Sequence, residues 1–268
     1  MSFLELDDKD VVVFGVSNKK SVGFRTHQVL VEAGARVHWV VRSEGRRDEL
    51  ARFLGPEGPA TIEVCDVESP DAVDRVADKL PGRIHGVVHA IAFANYAEGM
   101  RPFEKTKRED FAQAMQISCH SLIEIAGALR PRLVDGASVV TISISHLKMA
   151  AQNYGYMAPV KAALESSVVF LAKSFSSSPS VRFNAVSPSL LKTRSAAGIP
   201  GYADSYLYAE HLTLRGKGVQ VEEVANAVAF ALSPRSSGIN GQSLVVDAGM
   251  SVNYFDADVV GAALGGLE

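Results

Sequence analysis

The sequence predicts an α/β fold: a doubly wound parallel sheet in a single domain, with helices on both faces. Short, continuous apolar runs alternate along the chain with longer helical segments, which is typical of a parallel sheet buried on both sides. The chain has 268 residues and 47% apolar content, enough to bury one large core. No internal repeat and no long linker divides it, so residues 1–268 are expected to form one unit.

The elements follow one another in a regular order. The first strand, residues 11–14, is a Val-Val-Val-Phe run ending at Gly15, and the next helix ends before Gly34, a usual helix stop. The other strands are expected at residues 36–41, 61–65, 84–90, 138–143, 181–186 and 243–247, with helices at 21–33, 46–54, 70–80 and 108–133. This alternation predicts a Rossmann-type fold.

Composition excludes several classes of protein. The formal charge of −3 and the absence of a long basic run argue against nucleic acid as the main partner. Cys65 and Cys119 lie far apart without metal-ligand spacing, so we expect reduced thiols and no metal. The acidic N-terminus is unlike a signal peptide, and no apolar stretch approaches the ~20 residues of a membrane helix. A cytoplasmic protein is therefore expected.

The turn after the first strand is a candidate nucleotide site. It runs from Gly15 to Gly23, where a Rossmann-type fold binds a pyrophosphate on the free N–H groups of a helix. The turn does not match G-x-G-x-x-G, but its position is right. Gly15 is expected at the turn, Gly23 where helix and sheet pack closely, and Ser17 and Ser21 as hydroxyl donors to phosphate.

The end of the second strand indicates which dinucleotide is bound. An acidic residue there would bind the ribose 2′-hydroxyl of NADH, whereas an arginine accommodates the 2′-phosphate of NADPH. The residue after the strand is Arg42, with Arg46 and Arg47 following and Glu44 two positions beyond. Because a guanidinium pairs with phosphate through charge-assisted hydrogen bonds, NADPH is expected, with NADH left open. Arg47 is expected on a solvated helix surface.

The third and fourth strands end in residues suited to the rest of the dinucleotide. Asp66 and Val67 are placed to cover the adenine, the carboxylate toward the amine and the valine against the ring. Ala90, Ile91 and Ala92 follow the fourth strand, where such folds bind ligands between strand ends. His89 is expected to pack and form hydrogen bonds rather than to catalyse.

Tyr154 and Lys161 are the candidate catalytic pair. Seven residues are about two helical turns, so a phenol and an ammonium can share one helix face. A nearby cation lowers the pKa of a phenol and orients it, as an acid catalyst requires. Tyr156 is turned away by about 140°, and Pro159 fits only in a first helical turn.

Together these residues resemble the short-chain dehydrogenase/reductase superfamily, and within it the bacterial enoyl-acyl-carrier-protein reductases. That subgroup places the tyrosine seven positions before the lysine rather than four, and lengthens the first turn, with Ser21-Val22 before the helix. The resemblance covers about residues 5 to 252. Further matching motifs are Cys65-Asp66-Val67, Val88-His89-Ala90-Ile91-Ala92-Phe93-Ala94, Ile117-Ser118, Asn153-Tyr154, Lys161-Ala162-Ala163-Leu164-Glu165, Val181-Arg182-Phe183-Asn184-Ala185-Val186-Ser187, Lys192-Thr193-Arg194-Ser195-Ala196-Ala197-Gly198-Ile199 and Val246-Asp247-Ala248-Gly249.

The resemblance implies reduction of the carbon-carbon double bond of a trans-2-enoyl thioester in fatty-acid elongation. Hydride would pass from the nicotinamide to the β-carbon, Tyr154 would hydrogen-bond the thioester oxygen, and Lys161 would hold the nicotinamide ribose. The resemblance also assigns Val22 to the cofactor site and the carboxamide contact to the Leu191 backbone and Thr193. The acyl group would be carried by acyl carrier protein or coenzyme A, and the enzyme would be a homotetramer.

One departure from the family pattern keeps other functions open. The family carries an aromatic residue nine or ten positions before the tyrosine, where this chain has Ser145 and Ile144. Ser145 resembles the serine with which ordinary dehydrogenases of the superfamily polarise a carbonyl, so a ketone or aldehyde reductase using Ser145, Tyr154 and Lys161 is the alternative. A catalytically silent nucleotide-binding protein is a third hypothesis, disfavoured by the Tyr/Lys pair.

The segment at about residues 190–216 is expected to form a substrate-binding lid. It contains Tyr202, Tyr206, Tyr208 and Leu212, which are suited to line an acyl pocket. Lys192, Arg194, Arg215 and Lys217 flank it and are expected to attract an acidic carrier. The apolar C-terminal tail is expected to be buried between subunits.

Overall fold

A computed structural model of the chain describes residues 3–54, 60–69, 71–145, 147–152, 155–177 and 179–265. Within them a single parallel sheet has the strand order β3-β2-β1-β4-β5-β6-β7. Its strands are β1 (Asp10–Phe14), β2 (Arg36–Val41), β3 (Thr61–Val64), β4 (Ile84–His89), β5 (Leu133–Ile142), β6 (Arg182–Pro188) and β7 (Ser243–Val246). The order reverses between β1 and β4, which creates a crevice at their carboxyl ends.

Helices cover both faces of this sheet. They are α1 (Val22–Glu32), α2 (Glu44–Leu54), α3 (Ala72–Ala77), α4 (Arg108–Met115), α5 (Ser121–Leu129), α6 (Met157–Ser174), α7 (Arg194–Ala197), α8 (Tyr202–Leu212), α9 (Val221–Leu232) and α10 (Ala257–Leu264). One core cluster joins the sheet to α3, α5 and α6, and a second joins it to α1 and α9. The predicted doubly wound fold is confirmed.

Strand side chains alternate between these two cores. On β5, Val139 packs in the α3–α5–α6 core and Val140 in the α1–α9 core. Every residue of β6 is buried, as expected for a strand covered on both faces. The continuous apolar runs of the sequence therefore arise because neither face of the sheet meets water.

Two predicted boundaries were wrong. The helical region expected at residues 108–133 is divided: a five-residue π-helical segment, Gln116–His120, separates α4 from α5, and a short 3₁₀ turn follows at Arg130–Arg132. The strand expected at 138–143 begins earlier, at Leu133. Pro131 explains the end of the helix, because proline lacks an N–H and clashes with the preceding turn.

Pro159 lies in the first turn of α6, as predicted, since that helix begins at Met157. The helix therefore loses no hydrogen bond at Pro159, because a backbone N–H in the first turn has no partner within the helix.

No helix in the described ranges is long and apolar enough to cross a membrane. The same residues contain no group of three or more His, Cys, Asp or Glu side chains that could hold a metal ion.

Candidate active site

A large cavity opens along the carboxyl ends of the strands. Its volume is about 1140 Å³, and it extends from the β1–α1 turn, past the ends of β4, β5 and β6, to helix α8. At the β1–β3 end its lining includes charged side chains, Arg42, Arg46, Asp66 and Glu68. Toward α8 the lining is mostly apolar, and Lys161, bonded to the end of β5, lies between the two parts. The cavity thus has a polar half and an apolar half.

The β1–α1 turn can have only glycine at its first position. Gly15 has φ of +91°, and a Cβ atom built on it would lie 2.4 Å from the carbonyl oxygen of Ala90. A Cβ on Gly23 would lie 2.5 Å from the oxygen of Gly15. The two glycines therefore let the turn, the start of α1 and the end of β4 approach one another. This close backbone cradle fits the pyrophosphate of a dinucleotide.

Ser17 and Ser21, predicted to bind phosphate, and Val22, predicted to be in the cofactor site, all line the cavity at this turn. The Ser21 hydroxyl also caps α1, because Oγ accepts a hydrogen bond from the N–H of Phe24 at 3.3 Å. Ser21 Oγ donates to the carbonyl of Asn18 at 2.7 Å. The Ser21 side chain therefore fixes the turn, while the first backbone N–H groups of α1 are left for a phosphate.

Arg42 and Arg46 line the cavity beyond the end of β2. Arg42 is exposed, and no carboxylate of the described residues pairs with it. Arg46 donates to the carbonyl of Ser17 at 3.2 Å and to Glu49 at 2.8 Å, so it ties α2 to the first turn. Arg47 is absent from the lining and pairs with Glu44, which confirms its expected place on the helix surface.

The residues expected around the adenine and those expected to approach the cofactor at the end of the fourth strand are brought to the same cavity. Asp66, Val67, Ala90, Ile91 and Ala92 all line it. The Asp66 carboxylate also accepts a hydrogen bond from the N–H of Glu68 at 3.1 Å, which fixes its direction.

Lys161 is a buried cation at the centre of the cavity. Its side chain is in the lining, yet the residue is only 3% exposed. The Nζ atom donates to the carbonyl of Ile142, at the end of β5, at 2.7 Å. Burial lowers the pKa of the ammonium to about 8, and the nearby Cys119 and Glu165 oppose that shift. The lysine thus remains mostly charged near neutral pH and keeps further N–H donors for a ligand.

Tyr154, the predicted partner of Lys161, lies outside the described residues, and its role stays a prediction. The Tyr156 hydroxyl is bonded to backbone. It accepts from the N–H of Asn95 at 3.0 Å and donates to the carbonyl of the same residue at 3.4 Å. Burial raises the pKa of this phenol. Tyr156 therefore anchors the segment after β4 to the start of α6.

Ser145 is not among the residues that line the cavity, and its role also stays a prediction. Its Oγ is buried without a hydrogen-bond partner, while its N–H donates to the carbonyl of Pro188 at 2.9 Å. Ser143 is the serine from this segment that belongs to the lining. The sequence did not distinguish the two, because the strand ends one residue before Ser143 and the alternation of side chains is lost beyond that point.

Leu191 and Thr193, predicted to contact the carboxamide, line the cavity after β6. The N–H of Thr193 donates to the carbonyl of Leu191 at 2.9 Å, and Thr193 Oγ1 accepts from the N–H of Ala196 at 3.2 Å, which starts α7. The Tyr202 hydroxyl accepts from the Leu191 N–H at 2.8 Å and donates to the Leu191 carbonyl at 3.0 Å. No motif or spacing in the sequence indicates this last contact.

Residues of the segment expected to form a lid line the apolar half of the cavity, and the role of a lid stays a prediction. Tyr202, Tyr208 and Leu212 line it, whereas Tyr206 is buried and bonds Glu210 at 3.2 Å. Two of the basic side chains expected to attract a carrier contact other residues of the protein. Arg215 forms a two-point contact with Glu223 at 2.7 Å, and Lys192 lies 4.4 Å from the centre of the Tyr206 ring.

Two buried polar side chains form hydrogen bonds that hold the backbone and side chains next to the cavity in place. His89 hydrogen-bonds Thr141 at 2.8 Å and Ser121 at 2.9 Å, so it packs and forms hydrogen bonds as predicted. Ser118, in the π-helical segment, accepts from the N–H of Phe93 at 2.9 Å and donates to its carbonyl at 3.1 Å. Ser118 thus fixes the backbone beyond Ala92. The role of Ser118 was not predicted, because a serine within a helix gives no sign of a distant backbone partner.

Solved structures resemble this fold over nearly the whole chain. An enoyl-(acyl-carrier-protein) reductase from Anaplasma phagocytophilum, solved in complex with NAD, is 27% identical, with a TM-score of 0.89 over 96% of this chain and 98% of that one. The Bacillus cereus enoyl-acyl carrier protein reductase, solved with NADP⁺ and an indole naphthyridinone, is 29% identical, with a TM-score of 0.86 over 94% of this chain and 99% of that one.

Sequence comparisons agree with the structural ones. A relative from Staphylococcus aureus, named enoyl-[acyl-carrier-protein] reductase [NADPH] FabI, is 34% identical over 92% of this chain and 98% of its own length. One from Nostoc sp., named for NADH, is 32% identical over 93% of this chain and 98% of its own. The family model described as Enoyl-(Acyl carrier protein) reductase matches residues 15–251. The chain therefore belongs to the enoyl-(acyl carrier protein) reductase family.

Proposed function

We propose that this protein reduces the carbon-carbon double bond of a trans-2-enoyl thioester with a nicotinamide dinucleotide. The observation that carries the proposal is the buried, charged Lys161 at the junction of the polar and apolar halves of the cavity. The polar half has the glycine cradle of a dinucleotide site. The apolar half suits an acyl chain, because its lining offers hydrophobic and aromatic side chains. Family membership supports the same reaction.

The bound dinucleotide supplies the hydride, and the protein supplies position and electric field. Lys161 is held against β5 by the Ile142 carbonyl and directs its remaining donors into the cavity, where a ribose hydroxyl would accept them. Its positive charge favours the negative charge that develops on the thioester oxygen during reduction. Tyr154, seven residues earlier, would donate a hydrogen bond to that oxygen. The α-carbon would take its proton from solvent or from a relay.

NADPH is the proposed cofactor. Arg42 lies at the end of β2, lines the cavity and has no carboxylate partner among the described residues, so it is available for a 2′-phosphate. Glu44, which would favour NADH if it faced the ribose, is paired with Arg47 instead. The names of the relatives differ on this point, NADPH in S. aureus and NADH in Nostoc.

The proposed substrate is an acyl group on acyl carrier protein or coenzyme A, and the proposed assembly is a cytoplasmic homotetramer. Exposed apolar side chains support self-association. Phe170 on α6 is 76% exposed, Tyr254 and Phe255 are exposed before α10, and α10 itself has no buried residue. Such surfaces are usually covered by another chain.

NADPH oxidation with crotonyl-coenzyme A, set beside acetoacetyl-coenzyme A, tests the proposal. We expect turnover of the enoyl thioester. Turnover of the β-keto thioester alone would overturn the proposal in favour of a carbonyl reductase. Binding of NADPH without turnover of either compound would favour a catalytically silent nucleotide-binding protein.

A further inference from the structure

The hydroxyl of Tyr202 is bonded to both backbone polar groups of one residue. It accepts from the N–H of Leu191 at 2.8 Å and donates to the C=O of Leu191 at 3.0 Å. Both residues line the cavity. A single atom can reach the two groups only if the N–H and the C=O face the same point. Leu191 therefore presents a donor and an acceptor side by side toward Tyr202.

This donor–acceptor pair has the chemistry of a primary-amide site. A carboxamide carries an acceptor oxygen and a donor NH₂ next to each other, so it matches a backbone N–H and C=O that face the same way. Leu191 follows β6, and β6 is the neighbour of β5, whose last carbonyl holds Lys161. The pair is thus close to where the nicotinamide ring must lie for a ribose beside Lys161.

We propose that the Tyr202 hydroxyl and the nicotinamide carboxamide compete for the backbone of Leu191, so that Tyr202 sets the affinity for the dinucleotide. The inference rests on the proposed function in one respect: the ligand is a nicotinamide dinucleotide. Binding the carboxamide breaks two hydrogen bonds from Tyr202, and the net affinity is reduced by what those bonds contribute.

The same exchange couples the cofactor to the acyl half of the cavity. Tyr202 is the first residue of α8, which also supplies Tyr208 and Leu212 to the lining. Gly201, directly before it, has φ of +71° and open space around it, so the chain can turn there. Exchange of these two bonds removes a tie between the start of α8 and the segment that follows β6. Cofactor binding therefore weakens the attachment of α8 at this point.

A purely supporting role for Tyr202 predicts the opposite result. If the hydroxyl only held Leu191 in place for the cofactor, its removal would let the backbone move and would weaken binding. Competition instead predicts that removal strengthens binding. The sign of the change in affinity separates the two roles.

The experiment compares Tyr202→Phe with Tyr208→Phe, a matched change on the same helix. Tyr208 also lines the cavity but is 59% exposed, with no hydrogen bond from its hydroxyl to the described residues. Dissociation constants are measured by calorimetry for NADPH and for 2′-phospho-ADP-ribose, which has the same phosphates but no carboxamide.

We expect Tyr202→Phe to lower the dissociation constant of NADPH by about tenfold and to leave that of 2′-phospho-ADP-ribose unchanged. Tyr208→Phe should change neither. An unchanged or weaker affinity of Tyr202→Phe for NADPH would overturn the inference, and so would an equal gain for both ligands. Because binding needs no turnover, a wild-type protein that binds NADPH but reduces no enoyl thioester would refute the proposed reaction and leave this inference standing.

Discussion

The Lys161 ammonium is buried, yet its pKa of about 8 leaves most of it protonated at neutral pH. A charge in such a place is tolerated only with partners, and here one N–H already bonds the Ile142 carbonyl. The rest of its hydrogen-bonding capacity faces a cavity. At the scale of single residues, the protein therefore keeps one cation where the polar and apolar halves of its cavity meet.

The affinity for NADPH should fall as pH rises through about 8. Lys161 is charged below that pH in the folded protein and neutral above it, and the neutral amine attracts the dinucleotide less. Titrations from about pH 7 to about pH 9 should show this loss in the wild-type protein and not in Lys161→Met. Lys173→Met, an exposed change on the same helix, should keep the wild-type profile. A wild-type profile that stays flat across this range would refute the role of the ammonium.

Arg42→Ala should weaken NADPH more than NADH. The guanidinium contributes a charge-assisted hydrogen bond only when a 2′-phosphate is present, so a loss of about tenfold is expected for NADPH alone. Arg47→Ala is the matched control, because Arg47 lies in α2, shortly after Arg42, but pairs with Glu44 and does not line the cavity. Equal losses for the two dinucleotides, measured by fluorescence titration, would contradict a phosphate contact.

The sequence predicted many of these residues, but not all their contacts. Gly15 and Arg42 were predicted because they follow predicted strands, and Lys161 because of its helical spacing from Tyr154. Both signals depend only on residues that are close in the sequence. The Tyr202 hydroxyl contacts the backbone of Leu191, eleven positions earlier, and the presence of Ser143 rather than Ser145 in the cavity lining depends on how a strand ends. Such details are set by tertiary packing, which periodicity does not encode.

At the scale of elements, the β1–α1 turn depends on a backbone that only glycine can adopt. The φ of +91° at Gly15 and the 2.4 Å approach of its missing Cβ to Ala90 leave no room for a side chain. The strand, the turn and the end of β4 are thus held in one arrangement, and the N-terminus of α1 is directed at the crevice.

Gly15→Ala should reduce the free energy of unfolding by about 2 kcal/mol, because it adds strain at a positive φ and a clash with backbone. It should also weaken NADPH binding. Gly45→Ala is the control: Gly45 lies in α2 with open space around it, so the change should raise stability by about 0.5–1 kcal/mol. Chemical denaturation measures both. A Gly15→Ala protein as stable as the wild type would show that the turn can accommodate a Cβ atom, which would contradict the prediction.

Helix boundaries were harder to predict than the existence of helices. The region expected as one helix at residues 108–133 has suitable apolar spacing throughout, yet a π-helical segment interrupts it at Gln116–His120. That interruption accompanies the contact of Ser118 with the Phe93 backbone. Interruptions of this kind are common at functional sites and depend on partners distant in sequence.

At the scale of the whole molecule, buried neutral histidines link stability to pH. His27 packs edge-on against Trp39, with ring centres 4.7 Å apart, and burial lowers its pKa from 6.5 to about 4. Burial lowers the pKa of His89 to about 3. Both histidines are neutral in the folded protein, whereas the unfolded chain takes up protons below about pH 6.5.

The free energy of unfolding should therefore be largest above about pH 6.5 and fall as the pH drops toward 4, by about 3 kcal/mol for His27 alone. Urea unfolding at several pH values measures this. His27→Leu should flatten the dependence in that window, while a change at the exposed His211 should not. An identical slope in His27→Leu and the wild type would show that the buried ring does not contribute.

The proposed reaction requires a hydroxyl and an ammonium to act together on a thioester oxygen. The most direct measurement is the turnover number for crotonyl-coenzyme A with saturating NADPH in Tyr154→Phe, beside Tyr156→Phe, whose hydroxyl is bonded to Asn95 instead. We expect a loss of about 100-fold or more for Tyr154→Phe, with unchanged NADPH affinity, and a change of only a few-fold for Tyr156→Phe. A Tyr154→Phe protein that turns over like the wild type would contradict the proposed reaction.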